Sequence, residues 1–164
     1  MRTRTLRSVV YLGAVFGLVA ALYAAAEVYD ATLSKACSFN GVVSCNIILE
    51  SGKTSVLSVP DWAIGVAGFV LILACAILAE RFRADRRFTY LLAAVTTAGV
   101  AFSLYFLYVE VFEIGGICPV CVSAYAMGWL AWAGSLGLTR KAIRRAQARG
   151  PETRTAGSSA GSGP

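Results

Sequence analysis

Four of the five cysteines of this 164-residue chain fall into two pairs. Cys118 and Cys121 belong to the unit Cys118-Pro119-Val120-Cys121, and Cys37 and Cys45 have seven residues between them. A thiolate attacks a disulfide sulfur through a mixed disulfide, so two neighbouring pairs can pass a bond, and two electrons, between them. Pro119 suits the first turn of a helix, where its missing N–H costs no hydrogen bond. That puts Cys118 at the cap and Cys121 within the first turn. Residues three apart share a helix face, so these sulfurs can bridge, and the helix N-terminus favours a thiolate. Asn40-Gly41 is a tight-turn dipeptide that lets Cys37 and Cys45 meet as well.

Two blander readings stand beside this one. Both pairs could be structural staples in an oxidising compartment. All four sulfurs could instead hold zinc. The seven-residue gap departs from the usual C-x2–4-C ligand spacing, and the chain has no histidine, the commonest metal ligand. The expectation is therefore no metal. Cys75 lies inside an apolar run and reads as a small buried hydrophobe.

The elements that must position these sulfurs are written in the composition. Hydrophobic residues make up 57% of the chain and charged ones 15%, where soluble domains carry roughly a quarter charged. Four apolar stretches, at about 9–26, 62–79, 90–109 and 118–138, are each long enough to cross a hydrocarbon core about 30 Å thick. A soluble bundle of such helices would have almost no residues left for a polar shell. The chain is expected to be an all-α integral membrane protein, a four-helix domain over 9–142. A short segment 1–8 precedes it. The segment 143–164 is basic and then, from about Glu152, too poor in apolar residues to order itself.

Charge gives the expected orientation. The net charge is +6, but the basic residues cluster in three places. Arg2, Arg4 and Arg7 precede the first span. Arg81, Arg83, Arg86 and Arg87 join the second to the third. Arg140, Lys141, Arg144, Arg145, Arg149 and Arg154 follow the fourth. Such clusters mark the cytoplasmic side of a membrane and not a nucleic-acid surface. Both termini are then cytoplasmic, and loops 27–61 and 110–117 are extracytoplasmic. The protein reads as multi-pass in the cell membrane, with both cysteine pairs on the outer face, where disulfides persist. Glu27, Asp30, Glu50, Asp61, Glu110 and Glu113 lean to that same side.

The first span has leading arginines and Ala24-Ala25-Ala26, as a secretory signal does. Its apolar run exceeds the usual 7–15 residues, which favours a retained span. Gly13 and Gly17 form a G-x-x-x-G pattern, and Gly65 and Gly68 open the second span. Small residues let membrane helices approach closely, here most simply within the chain.

The whole pattern resembles the vitamin K epoxide reductase family. The resemblance rests on the C-x7-C pair in the first outer loop, Ser51 six residues after Cys45, the C-x-x-C opening the fourth span and Tyr125 four residues beyond it. It covers nearly the whole chain except the tails, and the bacterial type is the nearer one. The other well-known quinone-linked disulfide enzyme of bacteria carries its C-x-x-C in the first outer loop, the reverse of this order. The resemblance implies a thiol:quinone oxidoreductase supporting disulfide-bond formation, with a quinone (menaquinone or ubiquinone) as electron acceptor.

It also implies residue roles. Cys121 faces the quinone, and Cys118 is its bridging partner. Cys45 passes electrons to Cys118 through a mixed disulfide, and Cys37 meets the external thiol. Ser51 supports the loop, and Tyr125 hydrogen-bonds a quinone carbonyl. Asp61 falls where the family has an asparagine for the other carbonyl. An ionised Asp accepts but does not donate, whereas a protonated one does both. Many bacterial relatives carry a fused thioredoxin-like domain. None is visible here, so a separate thioredoxin-like protein is the expected partner, beside the quinone and the lipid bilayer, with no nucleic acid.

A quinone pocket needs an apolar cleft with few polar groups. Leu49, Ile64, Phe69, Phe106 and Phe112 are the expected walls, and Trp62 reads as an interfacial anchor. Two rival functions remain at this point. The same chemistry could run toward vitamin K epoxide or quinone reduction as the useful product, or the chain could be a non-enzymatic scaffold stapled by disulfides.

Overall fold

The computed structural model describes residues 3–30, 32, 45, 55–56, 59–82 and 87–158. Cys37, Leu49 and Ser51 lie outside the described residues.

Helix α1 spans Thr3–Tyr29, α2 Asp61–Arg81, α3 Arg87–Tyr108 and α4 Pro119–Ser158. A six-residue π-helical segment, Val109–Ile114, continues α3. Strands β1 (Ser55–Val56) and β2 (Val59–Pro60) form a small antiparallel hairpin leading into α2. All four helices are long and apolar enough to cross a membrane, and the protein is a multi-pass membrane bundle. Large apolar side chains such as Leu12, Phe16, Val19, Leu22, Ile77 and Leu104 point outward. In lipid that exposure costs nothing, because the tails are as apolar as the side chains.

Each helix packs against two neighbours, α1 on α2 and α4, and α3 on α2 and α4. The four therefore close into a ring with sequential neighbours antiparallel. Two ends result. One gathers Tyr29, Asp61, Ile114 and Pro119. The other gathers Arg4, Arg7, Arg81, Arg87, Arg140, Lys141, Arg144 and Arg145. These are called the cysteine end and the basic end below.

Close approach of α1 to its neighbours depends on the G-x-x-x-G pattern. A Cβ at Gly13 would sit 2.7 Å from the Met127 carbonyl oxygen on α4, and one at Gly17 would sit 2.2 Å from the Phe69 ring on α2. The motif is used within the chain. Val10, Ala14, Ala21, Phe69, Ile72, Cys75, Ala76 and Leu92 form the core around this seam, and Cys75 is the small buried group its position implied.

Polar clasps fix the ring. Glu80 accepts from Arg7 (3.3 Å) and from the Tyr11 hydroxyl (3.1 Å), tying α1 to α2 at the basic end. Between α3 and α4, the Thr96 and Ser135 hydroxyls meet at 2.8 Å. The Trp129 indole donates to Ser103 Oγ at 2.8 Å and that of Trp132 to Thr97 Oγ1 at 3.1 Å. Such side-chain bonds add about 0.6 kcal/mol each in a bilayer.

The elements depart from the sequence expectation in three ways. Helix α1 begins at Thr3, not at 9, because the arginine-bearing stretch continues the same helix. Helix α4 does not stop near 138 but runs on to Ser158, through the basic stretch and into the segment from about Glu152 that was expected to lack order. Its continuation, Lys141-Ala142-Ile143-Arg144-Arg145-Ala146-Gln147-Ala148, consists mostly of strong helix formers. The expected 110–117 loop is largely the π-helical segment, with a true turn only at Gly115 and beyond.

Candidate functional site

Helix α4 starts at Pro119 as the motif predicts, so Cys118 stands just ahead of the first turn and Cys121 within it. The Cys121 N–H donates to Cys118 Sγ at 3.3 Å. An amide of the helix start is thus aimed at the Cys118 sulfur. Both residues are free thiols. Cys45 is disulfide-bonded and buried, and its Sγ lies 3.2 Å from Cys118 Sγ. Cys45 and Cys118 together form a small buried cluster packed against Ile114, Val120 and Cys121.

Below these sulfurs a cavity of about 520 Å³ opens between all four helices. Asp61, Cys121 and Tyr125 line its cysteine end. Ile64, Phe69, Phe102 and Phe106 form apolar walls, and Ala20, Gly68, Gly99 and Gly128 leave room for them. From Asp61 to Ile72 the lining follows α2 over twelve residues, a length of about 16 Å at helical rise. The shape is a deep, mostly apolar slot with its ionisable groups at one end and the hydroxyls of Thr96 and Ser103 along α3, as a small-molecule site for a ring with few oxygens requires.

Asp61, the first residue of α2, accepts from the Trp62 N–H at 2.7 Å through its Oδ1. Trp62, expected only as an interfacial anchor, lines the cavity. Phe112 is a correction. It was expected as a wall, but it is 74% exposed and stacks on Tyr108 on the outside of the bundle, with ring centroids 5.0 Å apart.

Glu110 is the residue that sequence reasoning missed. It was grouped with the acids of the outer face, yet it is fully buried. The wider π-helical turn carries Val109 and Glu110 inward, and such segments often mark functional positions. Gly115, at φ 72°, closes the segment in the left-handed region that glycine enters without strain. Glu110 Oε1 accepts from the Tyr125 hydroxyl at 2.9 Å, and Oε2 from the Cys118 N–H at 3.4 Å. The Cys121 thiol and Asp61 are close enough to interact with the same carboxylate. A lone glutamate at the end of an apolar run, eight residues before a C-x-x-C, was the available signal.

Residues 8–136 match the model of the vitamin K epoxide reductase family. The chain belongs to the vitamin K epoxide reductase family. It is accordingly a membrane oxidoreductase linked to quinones, built as a helical bundle. The family match covers all of α1, except its first turn, through most of the apolar part of α4. It therefore includes both cysteine pairs, Asp61, Glu110 and Tyr125.

Proposed function

We propose that the protein carries electron pairs from an extracytoplasmic thiol partner, through Cys37 and Cys45, to Cys118 and Cys121 and on to a membrane quinone. The partner is a separate thioredoxin-like protein, and the product of the cycle is a disulfide in that partner. The observation that carries this reading is the 3.2 Å separation of Cys45 Sγ and Cys118 Sγ, directly above a cavity that Cys121 lines.

The cycle balances. Partner dithiol reduces the Cys37–Cys45 disulfide and leaves oxidised. The Cys45 thiolate then attacks Cys118 of a Cys118–Cys121 disulfide and expels the Cys121 thiolate, giving a mixed Cys45–Cys118 disulfide. Cys37 attacks Cys45, restores the first disulfide and frees Cys118. Two electrons now rest on the Cys118/Cys121 pair, and the arrangement of a bonded Cys45 beside free Cys118 and Cys121 corresponds to this stage. The pair gives two electrons and two protons to the quinone, which leaves as hydroquinone, and the Cys118–Cys121 disulfide re-forms.

Within this scheme Tyr125 and Asp61 hold the two quinone oxygens, Ile64 and Leu49 pack on the ring, and Ser51 supports the cysteine-bearing loop. The basic end faces the cytoplasm, with both termini there, and the cysteine end faces outward in the cell membrane. That orientation follows the excess of Arg and Lys at one end of the bundle.

The test is quinone reduction by purified protein in lipid nanodiscs, driven by a reduced thioredoxin-like protein. Wild type is expected to turn over menaquinone or ubiquinone, and Cys118→Ala and Cys121→Ala to be inactive. Either variant at wild-type rate would defeat the proposal. Running naphthoquinone and its epoxide side by side separates disulfide formation from epoxide reduction as the working direction.

A further inference from the structure

The relay of electrons leaves a second question, the route of the protons. Two thiol hydrogens must leave sulfur, and two must arrive at the quinone oxygens. Among the described residues, one carboxylate meets the Cys121 thiol, the Cys118 backbone and the phenol that lines the quinone cavity. Glu110 accepts from Tyr125 and from the Cys118 backbone, and the Cys121 thiol lies against it. It has no exposure to solvent, and the π-helical turn that aims it inward departs from the regular α3 helix it continues. Among the described residues no cation pairs with Glu110, and a buried carboxylate so placed is costly, so a group held in this way calls for a use that a neutral side chain would not serve.

We propose that Glu110 is the proton relay between the Cys118/Cys121 thiols and the bound quinone, an assignment that rests on the function proposed above. Quinone plus two thiols gives hydroquinone plus one disulfide, with two electrons and two protons transferred. The Cys121 proton moves to Glu110 as its sulfur delivers electrons to the ring. Glu110 passes that proton to the Tyr125 oxygen, and Tyr125 gives its own proton to the nearer quinone oxygen. Glu110, again a carboxylate, takes the Cys118 proton as the disulfide closes. That proton refills Asp61, which has protonated the other oxygen. The titratable groups facing Glu110 are then Tyr125, Cys118, Cys121 and Asp61.

The experiment is single-turnover quinone reduction by the full chain, pre-reduced in nanodiscs and followed by stopped flow over a range of pH. Glu110→Gln keeps the side-chain shape but cannot carry a proton. It is expected to slow reduction by about a hundredfold, the usual size of a lost acid–base group. Its KM for quinone is expected to shift far less than its rate, and the pH profile to lose one step. Glu110→Asp, which retains a carboxyl, is expected to recover part of the rate. A Gln variant that keeps both the wild-type rate and the wild-type pH profile overturns the relay. Should the Gln variant not fold, the wild type in D2O decides. A clear solvent isotope effect on single turnover supports the relay, and its absence overturns it. These outcomes separate from failure of the underlying reading, in which the wild type itself reduces no quinone.

Discussion

Cys45 Sγ and Cys118 Sγ lie 3.2 Å apart although 73 positions separate them in the chain. Reacting atoms about 3–3.5 Å apart are at the distance of a near-attack arrangement. The separation is held by burial, with Cys45 and Cys118 exposing 1% and 3% of their surfaces. A disulfide-bonded Cys45 thus sits at attack distance from a free thiol at the start of α4. Holding the two together replaces a bimolecular encounter by an internal exchange.

Tyr125 joins the cavity to Glu110 through its hydroxyl, which donates at 2.9 Å. Tyr125→Phe removes that hydroxyl and leaves the ring. Quinone turnover is expected to fall at least about tenfold, in line with the loss of one positioned proton-transfer group, while the folded fraction in detergent stays close to wild type. Steady-state rates beside a thermal melt check this. A Phe variant with an undiminished rate would remove Tyr125 from the site.

The cavity itself can be filled without disturbing the bundle. A Cβ added at Gly68 or Gly99 meets nothing within 4 Å, and both residues line the slot. Gly68→Leu and Gly99→Leu are expected to raise the quinone KM by about tenfold or more, because a ligand pocket of this size has little volume to spare. Exchange between a reduced thioredoxin-like protein and the cysteines should be far less affected. Measuring both rates in the same variants checks the assignment of the slot to the quinone.

Gly17 has the opposite surroundings. The Phe69 ring already stands where a Cβ would go, at 2.2 Å. Gly17→Ala forces Phe69 out of the α1/α2 seam and is expected to cost about 1–3 kcal/mol, the range for overpacked cores. A lowered melting temperature in detergent measures it. Thr96→Val, which breaks the Thr96–Ser135 contact between α3 and α4, is expected to cost less, about 0.6 kcal/mol.

The sequence carried the architecture because each of its signals is local. Eighteen or so apolar residues make a span, Pro119 after Cys118 makes a helix start, and a glycine every fourth residue makes a close seam. The place of Cys118 and Cys121 at the start of α4 was legible for the same reason. Glu110 was not, because its position depends on a π-helical turn. One extra residue in the turn rotates a side chain from the outer surface into the interior, and apolar periodicity does not report that. Phe112 fails in the mirror sense, since the same turn that brings Glu110 in carries Phe112 out. The length of α4 was underestimated because hydropathy marks where a helix leaves the membrane. It does not mark where the helix ends, and Ala, Arg and Lys continue it.

The most direct test of the sulfur relay is to trap its intermediate. Cys37→Ser removes the thiol that resolves the mixed bond at Cys45, so the full chain in native membranes should accumulate a Cys45–Cys118 disulfide, seen as a crosslinked peptide pair by mass spectrometry without reductant. A Cys118 thiol that stays fully open to maleimide in this variant, with no such crosslink under oxidising conditions, would contradict the account.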